Sequence, residues 1–346
     1  MFLVIFRKFV FCTALSLLLF SCVADVKIGD SEENLENNNV NDENPDYRKS
    51  PDERMVIGHQ YTNIHNIPAE WIVAAQANLH IVYNHTSHGS QLISGMNALE
   101  GFPAFSGQYS WDDAGREGSG IDLDDLGIPG AADLSQGDSE DANGDTPWAI
   151  GARTLLNNPA NYHINVVMWS WCNIAGHNIP RYLRNMEKLI AEYGVGGTNP
   201  RSAQHPVVFV FMTGHANSGG PNDSSDSQNR LIREHVAAHN RVLFDFADIE
   251  NYDPDDNYFL SLNVQDDLAY NLHGVGDANW ATDYLARNPN SEEDFLVHGT
   301  EGYTPISSCA HSPEAGGNHD AKLNCILKGK AAWSLFARIA GWDGVP

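Results

Sequence analysis

Short runs of β-branched and aromatic residues alternate along the chain with longer segments whose apolar residues recur at helical spacing. This alternation predicts strands at 77–83, 164–171, 206–212 and 241–246, and helices at 91–99, 180–193, 229–240 and 326–340. The strand at 206–212 is almost continuously apolar, as is typical of a strand buried on both faces of a parallel sheet. The order of elements therefore predicts an α/β fold class, with an open, mostly parallel sheet flanked by helices and connected by right-handed crossovers.

The first 21 residues have the pattern of an export signal. Arg7 and Lys8 form a positive start, and 9–20 form an apolar stretch that is too short to span a bilayer comfortably. The end of this stretch, Leu-Phe-Ser-Cys at 19–22, resembles the lipobox of bacterial lipoproteins. The resemblance implies a lipid anchor on Cys22 and a periplasmic or cell-surface location. The alternative is an ordinary signal peptide in which Cys22 is incidental.

Residues 22–54 differ in composition from the rest of the chain. Asn and acidic residues dominate and apolar residues are nearly absent, so this segment buries too little surface to offset the entropy of ordering. We predict a solvated tether here, followed by one large domain over 55–346. Within that domain, 101–148 is rich in Gly, Asp and Ser and is predicted to be a long irregular insertion.

The charge of the chain narrows the range of partners. There are 20 Lys and Arg residues against 45 Asp and Glu residues, a formal net charge of −25. A surface with this excess of negative charge repels phosphate backbones. Nucleic acid is therefore not expected to be a partner.

Three of the five cysteines lie in the predicted domain. In an oxidising compartment, Cys309 and Cys325 form a natural disulfide pair because only 15 residues lie between them. Closing a loop of this length is expected to stabilise the fold by about 3 kcal/mol. Cys172 is then predicted to be a lone, buried thiol.

A polar turn joins the strand at 77–83 to the helix at 91–99, and it reads Asn-His-Thr-Ser-His-Gly over 84–89. It resembles the Gly-His-x-Ser-x-Gly turn in one branch of the SGNH/GDSL hydrolase superfamily. The resemblance implies a three-layer sandwich and Ser87 as the nucleophile, with Ser90 as the alternative. Free amides and the helix dipole at such a turn also favour an oxyanion. The other interpretation is an ordinary helix cap.

Two further groups are expected to bind the oxyanion. One is the backbone next to Ser87, at His88. The other is Asn173, which follows the strand at 164–171, where the superfamily has a Gly-x-Asn element. This chain departs from that element because Trp171 occupies the glycine position. Asn173 is alternatively a cap for the turn that follows.

The general base of the superfamily lies in an Asp-x-x-His element near the start of the final helix. Here two histidines precede that helix, and neither has Asp three residues earlier. A serine needs a base within hydrogen-bond reach to become a useful nucleophile. We predict His311 as this base, because the neighbouring disulfide would hold it rigidly, with His319 as the alternative. The orienting acid is left open between Glu314 and Asp320.

Substrate contacts are expected from polar residues past the carboxyl ends of the strands, where reacting groups lie in open α/β sheets. These residues are His85 in the first turn, and His215 and Asn217 after the strand at 206–212. The carboxylates at 245–250 are interpreted as rim groups or as part of a solvated loop.

No cofactor is predicted and no metal site is assigned, although two patterns allow one. His85 and His88 have ligand-like spacing. The acidic, glycine-containing loop at 138–145 has the oxygen density of a calcium loop but lacks the full EF-hand pattern. A structural calcium ion is the stronger of these two alternatives.

Together these features predict an extracytoplasmic, lipid-anchored enzyme that hydrolyses esters, such as those of acylated polysaccharides. Ser87 would attack the ester carbonyl, and His311 would accept the proton. One alternative is a non-catalytic, glycan-binding surface lipoprotein with an eroded SGNH fold, which the missing Asp-x-x-His element favours. The other is a metal-dependent hydrolase, which the many histidines and aspartates allow.

Overall fold

The computed structural model describes residues 55–113, 120–271, 276–311 and 318–345. Every described residue belongs to one compact unit. The predicted signal peptide, the tether and Glu314 therefore lie outside the described residues. Within the described ranges, no helix combines the length and the apolar character needed to cross a membrane.

Strands and helices alternate along the domain. The strands are β1 (Val56–Ile57), β2 (His80–Asn84), β3 (Trp111–Asp112), β4 (Ile121–Asp125), β5 (Val166–Trp169), β6 (Val208–Met212), β7 (Val242–Phe244), β8 (Ala269–Asn271) and β9 (Gly276–Asn279). The helices are α1 (Ala69–Asn78), α2 (Ser90–Gly101), α3 (Pro147–Leu156), α4 (Ile179–Tyr193), α5 (Ser224–His239), α6 (Phe246–Asn251), α7 (Trp280–Arg287), α8 (Glu292–His298) and α9 (Leu323–Ala340). Each predicted strand and helix coincides with one of these elements, with ends displaced by a few residues.

Seven of the described strands form one sheet in the order β1-β7-β6-β5-β2-β4-β3. Every neighbouring pair in this sheet is parallel. β8 and β9 form a separate antiparallel pair. The predicted α/β class, with a parallel sheet flanked by helices, is confirmed.

One prediction about the fold was wrong. The segment at 101–148, expected to be irregular, contributes β3 and β4 to the sheet. β4 reads Ile-Asp-Leu-Asp-Asp, and its acidic residues suggested a loop. In the structure, however, Asp122 is buried and its Oδ2 atom lies 2.7 Å from Nδ1 of His80 on the neighbouring strand. A cross-strand partner thus allows a carboxylate to occupy a strand position that composition alone disfavours.

The apolar side chains of the strands alternate between two cores, one on each face of the sheet. In β2, Ile81 and Tyr83 lie in the core that includes residues of α1, α2 and α9. Val82 lies in the core that includes residues of α3, α4 and α5. β5 and β6 follow the same alternation. The sheet is therefore the middle of three layers.

β2 lies where the chain reverses its direction of progress across the sheet. α2 leads from β2 toward β3 and β4 on one side, and α3 leads from β4 back to β5 on the other side of β2. In open parallel sheets, a crevice forms at such a point outside the carboxyl ends of the strands. The turn that follows β2 lies at this crevice.

Helices α2 and α9 cross in close contact at a pair of glycines. A Cβ atom on Gly95 would lie 1.9 Å from the carbonyl oxygen of Cys325. A Cβ atom on Gly329 would lie 2.4 Å from the carbonyl carbon of Gly95. The two backbones approach closely because neither position carries a side chain. This contact brings the N-terminal half of α9 next to the helix that follows the predicted nucleophile.

Candidate active site

The first strand-to-helix turn holds Ser87 in a strained backbone conformation. β2 ends at Asn84, residues 87–89 form a 3₁₀ turn, and α2 begins at Ser90. Ser87 has a φ of 45°, in the left-handed region that residues other than glycine rarely occupy. Strain of this kind persists only where the surrounding structure enforces it, and it is concentrated at functional sites.

Buried hydrogen bonds enforce the conformation of this turn. The Asn84 side-chain amide donates to the carbonyls of Ile128 and Ala131, at 2.8 Å in both cases. The Tyr83 hydroxyl donates to the carbonyl of Gly89 at 3.0 Å. These bonds tie the turn both to the end of β2 and to the loop that follows β4.

The Ser87 hydroxyl contacts the Nε2 atom of His311. His311 lies two residues after Cys309, which forms a disulfide with Cys325 near the start of α9. The Gln91 side chain also donates to the backbone carbonyl just before His311, at 2.6 Å. The predicted cysteine pair is thus confirmed, and the segment that it holds brings His311 to the turn that contains Ser87.

A carboxylate lies on the other side of the His311 ring from Ser87. It comes from a region in which the sequence predicts no site residue. The Oδ2 atom of Asp266 lies 3.5 Å from Nδ1 of His311. Asp266 belongs to the connection between α6 and β8, whereas the superfamily element would supply an acid three residues before the histidine. The earlier candidate Asp320 instead lies 2.7 Å from Nε2 of His298, so its assignment as the orienting acid is corrected.

The sequence carried one signal for Asp266. The acidic pair at 266–267 stands between Val264 and Leu268, which are both buried. Carboxylates next to core residues lie near buried surface, where a charge needs a partner. Such a pair therefore indicates a specific interaction more strongly than an acidic pair in a long polar loop does. The signal gives no partner, however, and therefore no role.

Three imidazole rings stack at this site, with His88 in the middle. The ring centroids of His88 and His215 lie 3.7 Å apart, and those of His88 and His311 lie 3.6 Å apart. The interplanar angles are 9° and 4°. His88 Nε2 also lies 2.7 Å from Oδ2 of Asp266. Because a charge on one ring disfavours a charge on the next, the two outer rings oppose protonation of His88.

The charge state of the site follows from these contacts. Burial lowers the pKa of His88 to about 4, although its hydrogen bond with Asp266 opposes the shift. Burial likewise lowers the pKa of His311, again against the attraction of Asp266. Burial alone would raise the pKa of Asp266, but the hydrogen bond from His88 and the neighbouring imidazoles outweigh it, so this pKa is lowered. Near neutral pH, a neutral His311 therefore lies beside an ionised carboxylate, as a general base requires.

The alternative nucleophile and the alternative base occupy other positions. The Ser90 hydroxyl donates to the backbone carbonyl of Ser87 at 2.7 Å, so it serves the start of α2. His319 is exposed in the 3₁₀ turn over 319–322, just before α9. The structure therefore pairs Ser87 with His311 rather than with His319.

Asn173 lies half-buried beyond the end of β5. Its side-chain oxygen accepts from the backbone N–H of Ala175 at 2.9 Å, and its backbone N–H donates to the hydroxyl of Ser135 at 3.1 Å. The first bond is a local Asx turn, whereas the helix that contains Pro180 is capped by Asn178 and not by Asn173. Binding of an oxyanion would use the side-chain amide nitrogen of Asn173, and this role stays a prediction. The neighbouring Cys172, predicted to be buried, is half-buried.

The residues predicted to contact substrate differ in exposure. His85 and His215 are 8% and 5% exposed. His85 Nε2 lies 2.7 Å from a carboxylate at the end of β4, and His215 Nδ1 lies 2.7 Å from the carbonyl of the next residue. Little of either ring reaches the surface, and a role for either residue in substrate contact stays a prediction. Asn217 is exposed, and its backbone forms an isolated bridge with Gln265, beside the carboxylate of the site.

Within the described residues, His88, Asp266 and His311 are grouped closely enough to be considered as metal ligands, with one atom of each within 4.8 Å of the others. An imidazole binds a metal along its nitrogen lone pair, which lies in the plane of the ring. The rings of His88 and His311 lie face to face in nearly parallel planes, so a single ion cannot lie in both planes. This geometry does not fit a shared metal ion and gives the metal-dependent alternative no support.

The acidic loop at 138–145, considered above as a calcium loop, is an ion-pair network. The pairs are Asp138–Arg181, Glu140–Arg184 and Asp145–Lys188, with N–O distances of 2.9, 2.5 and 2.8 Å. Cations on α4 thus already neutralise these carboxylates. These ion pairs attach the loop to α4, and a calcium ion at the loop stays a prediction.

Comparison with protein-family models, with curated proteins and with solved structures found no match to this chain. The resemblance to SGNH hydrolases consequently rests on the order of short motifs. An α/β fold by itself supports many unrelated functions. We therefore infer function from the geometry of Ser87, His311 and Asp266.

Proposed function

We propose that this protein is a serine hydrolase that cleaves ester bonds outside the cytoplasm. The observation that carries the proposal is the contact between the Ser87 hydroxyl and Nε2 of His311, with Asp266 3.5 Å from the opposite nitrogen of the same ring. An arrangement of nucleophile, base and acid recurs on unrelated folds and is recognised by geometry and roles. The strained turn at Ser87 and the neutral state of His311 support the same assignment.

In the proposed reaction, the hydroxyl oxygen of Ser87 attacks the ester carbonyl carbon while its proton passes to Nε2 of His311. The tetrahedral intermediate collapses, the bond to the alcohol breaks, and His311 returns the proton to the leaving oxygen. Water then attacks the acyl-enzyme by the same route, which releases the acid and restores Ser87. Asp266 orients the His311 ring and stabilises the imidazolium that forms.

The nucleophile turn is also proposed to bind the oxyanion. The backbone amide of His88 lies at the entry to α2, where the helix dipole favours negative charge. Asn173 is the proposed second donor, since it lies beyond the carboxyl end of β5, which is the strand next to β2.

The negative charge of the chain supports neutral substrates, and the signal-like N-terminus supports a location outside the cytoplasm. A formal net charge of −25 disfavours anionic polymers, so we propose neutral esters such as the acyl groups of polysaccharides. The signal-like segment at 1–21 and the lipobox-like Cys22 support attachment to a membrane through a lipid, on the periplasmic or cell-surface side.

A fluorophosphonate probe tests the proposal, because it reacts readily with an activated serine and not with an ordinary serine hydroxyl. We expect the wild-type protein to be labelled at Ser87, found by peptide mass spectrometry, and the Ser87→Ala variant to lose labelling. The Ser90→Ala variant is the matched control and should keep it, since Ser90 lies on the same turn but bonds to a backbone carbonyl.

Other results would support other functions. Labelling that survives in Ser87→Ala but disappears in Ser90→Ala would move the nucleophile by three residues. An unlabelled but folded wild-type protein that binds glycans would support the non-catalytic alternative. Esterase activity that is insensitive to the probe and lost on treatment with a chelator would support the metal-dependent alternative.

A further inference from the structure

A buried ion pair lies next to the candidate catalytic residues. Lys328 of α9 and Glu250 of α6 are both 0% exposed, and their Nζ and Oε1 atoms are 2.5 Å apart. Removing two charges from water is unfavourable, so such a pair is often no more stabilising than apolar side chains of similar size. Stability alone is therefore a poor explanation for this pair.

Hydrogen bonds connect Lys328 to two segments of the site. The Lys328 ammonium group donates to the side chain of Gln91, which lies one helical turn after Ser87. Gln91 in turn donates to the backbone carbonyl just before His311, at 2.6 Å. The lysine thus connects the helix behind the nucleophile with the segment that carries the base.

Glu250 and Asn324 make the corresponding connections to the other two segments. Oε2 of Glu250 accepts from the backbone N–H of Ala216 at 2.6 Å, next to the stacked ring of His215. The Asn324 amide donates to Oε1 of Glu250 at 3.1 Å and to the backbone carbonyl of Asp266 at 2.8 Å. One buried cluster is therefore bonded to the segments that carry the nucleophile, the base, the acid and the ring stack.

We propose that Glu250, Lys328, Gln91 and Asn324 form a positioning cluster that holds the nucleophile turn, the base and the acid in register. This inference rests on the proposed function, because it assigns the cluster to that reaction. The cluster acts through backbone carbonyl and N–H groups of the neighbouring segments. A displacement of about 1 Å at reacting groups lowers a rate by about 10²-fold, so positioning of this kind has a measurable effect.

Lys328 also acts on the base electrostatically. Burial lowers the pKa of Lys328 to about 8 against the attraction of its partner carboxylate, so it keeps its proton near neutral pH. Besides burial, the charges of Lys328 and His215 lower the pKa of His311, whereas Asp266 raises it. The ring of His88 lies against the same imidazole. A change at Lys328 should therefore alter the pH dependence of the reaction as well as its rate.

The test is the double variant Glu250→Gln/Lys328→Met, which removes both charges and so leaves no unpaired buried ion. The matched control is Glu293→Gln/Lys330→Met. That pair also has an N–O distance of 2.5 Å and a buried lysine on α9, but it connects α9 to α8. For each protein, the maximal rate of Ser87 phosphonylation, the half-saturating probe concentration and the thermal unfolding midpoint are measured.

We expect the positioning variant to lose about 10- to 100-fold in the maximal phosphonylation rate, with a half-saturating probe concentration within about threefold of wild type. The acid limb of its pH profile should move to higher pH, because Lys328 lowers the pKa of His311 while Glu250, whose charge is removed as well, is not among the groups that shift it. The control variant should keep the wild-type rate within about twofold even where its unfolding midpoint falls.

A positioning variant that reacts at the wild-type rate per folded molecule would overturn the inference. A wild-type protein that is not labelled at Ser87 would overturn the proposed function instead, so the two failures are distinct. If the double variant does not fold, Gln91→Met takes its place, since it cuts the link to the segment of His311. A Gln91→Met rate within about twofold of wild type would then overturn the inference.

Discussion

Asp266 interacts with two histidines at once. Its Oδ2 atom lies 2.7 Å from Nε2 of His88 and 3.5 Å from Nδ1 of His311. Because the ring of His88 is stacked on that of His311, the carboxylate orients the proposed base both directly and through a second imidazole. This arrangement differs from a simple chain of serine, histidine and acid, and it makes Asp266 the residue on which the state of the base depends.

The variant Asp266→Asn tests this dependence. We expect the rate of Ser87 phosphonylation to fall by about 10²- to 10⁴-fold, because the His311 ring loses its orienting charge. The reaction needs neutral His311, which is lost as the pH falls through its pKa. Asp266 raises that pKa, so its removal should move the acid limb of the pH–rate profile to lower pH.

The neighbouring Asp267 provides the control. Its side chain accepts from the backbone N–H of Ala269 at 3.0 Å, within its own loop. The variant Asp267→Asn should therefore change the rate by less than about threefold. An unchanged rate and an unchanged acid limb in Asp266→Asn would remove Asp266 from the proposed mechanism.

At the scale of elements, the crossing of α2 and α9 decides how close the two halves of the site come. Ser87 lies just before α2, and the disulfide-linked segment of His311 is bonded to α9 through Cys325. The crossing has little freedom, because a Cβ atom on Gly95 would lie 1.9 Å from a backbone oxygen of α9. If the backbones of α2 and α9 moved apart at this crossing, the segments that carry Ser87 and His311 would separate as well.

The variant Gly95→Ala is therefore expected to destabilise the protein, although Ala favours a helix over Gly by about 1 kcal/mol. Overpacking of this kind lowers the free energy of unfolding by about 1–3 kcal/mol. Chemical denaturation measures the change. Gly101→Ala in the same helix is the control, since its Cβ atom would meet only a ring carbon of Tyr303 at 3.8 Å. Equal stability of the two variants would contradict this account of the crossing.

At the scale of the whole molecule, negative charge dominates the surface. The formal net charge is −25, and several cations of the domain are already paired with carboxylates, as in the loop at 138–145. The resulting field repels anions on approach and leaves neutral molecules unaffected. It acts over a distance that salt shortens, with a screening length of about 10 Å at 0.1 M.

We therefore expect neutral esters to be hydrolysed with a higher kcat/KM than esters of the same alcohol that carry a carboxylate. The difference should shrink as salt is added, because screening weakens the repulsion. Steady-state kinetics on a matched ester pair at low and high salt measure both effects. A preference for the anionic ester at low salt would contradict the prediction.

Features that depend on neighbours along the chain can be predicted from the amino-acid sequence alone. Periodicity predicted β2, β6, α4 and α9, because burial on a strand or a helix repeats at a fixed interval. A short motif indicates Ser87, the spacing of Cys309 and Cys325 predicts their disulfide, and the position of His311 beside that disulfide favours it as the base. Each of these signals spans fewer than about twenty residues, so it can be read without knowing the fold.

Contacts between residues that are distant in sequence could be identified only from the three-dimensional fold. The contact between His88 and Asp266 spans 178 positions, and that between Lys328 and Gln91 spans 237. The local pattern around Asp122 predicts a loop, because its partner His80 lies on another strand, outside that segment. A buried charge is tolerated only when its partner is present. Polar residues therefore acquire their roles from three-dimensional neighbours, which local patterns do not contain.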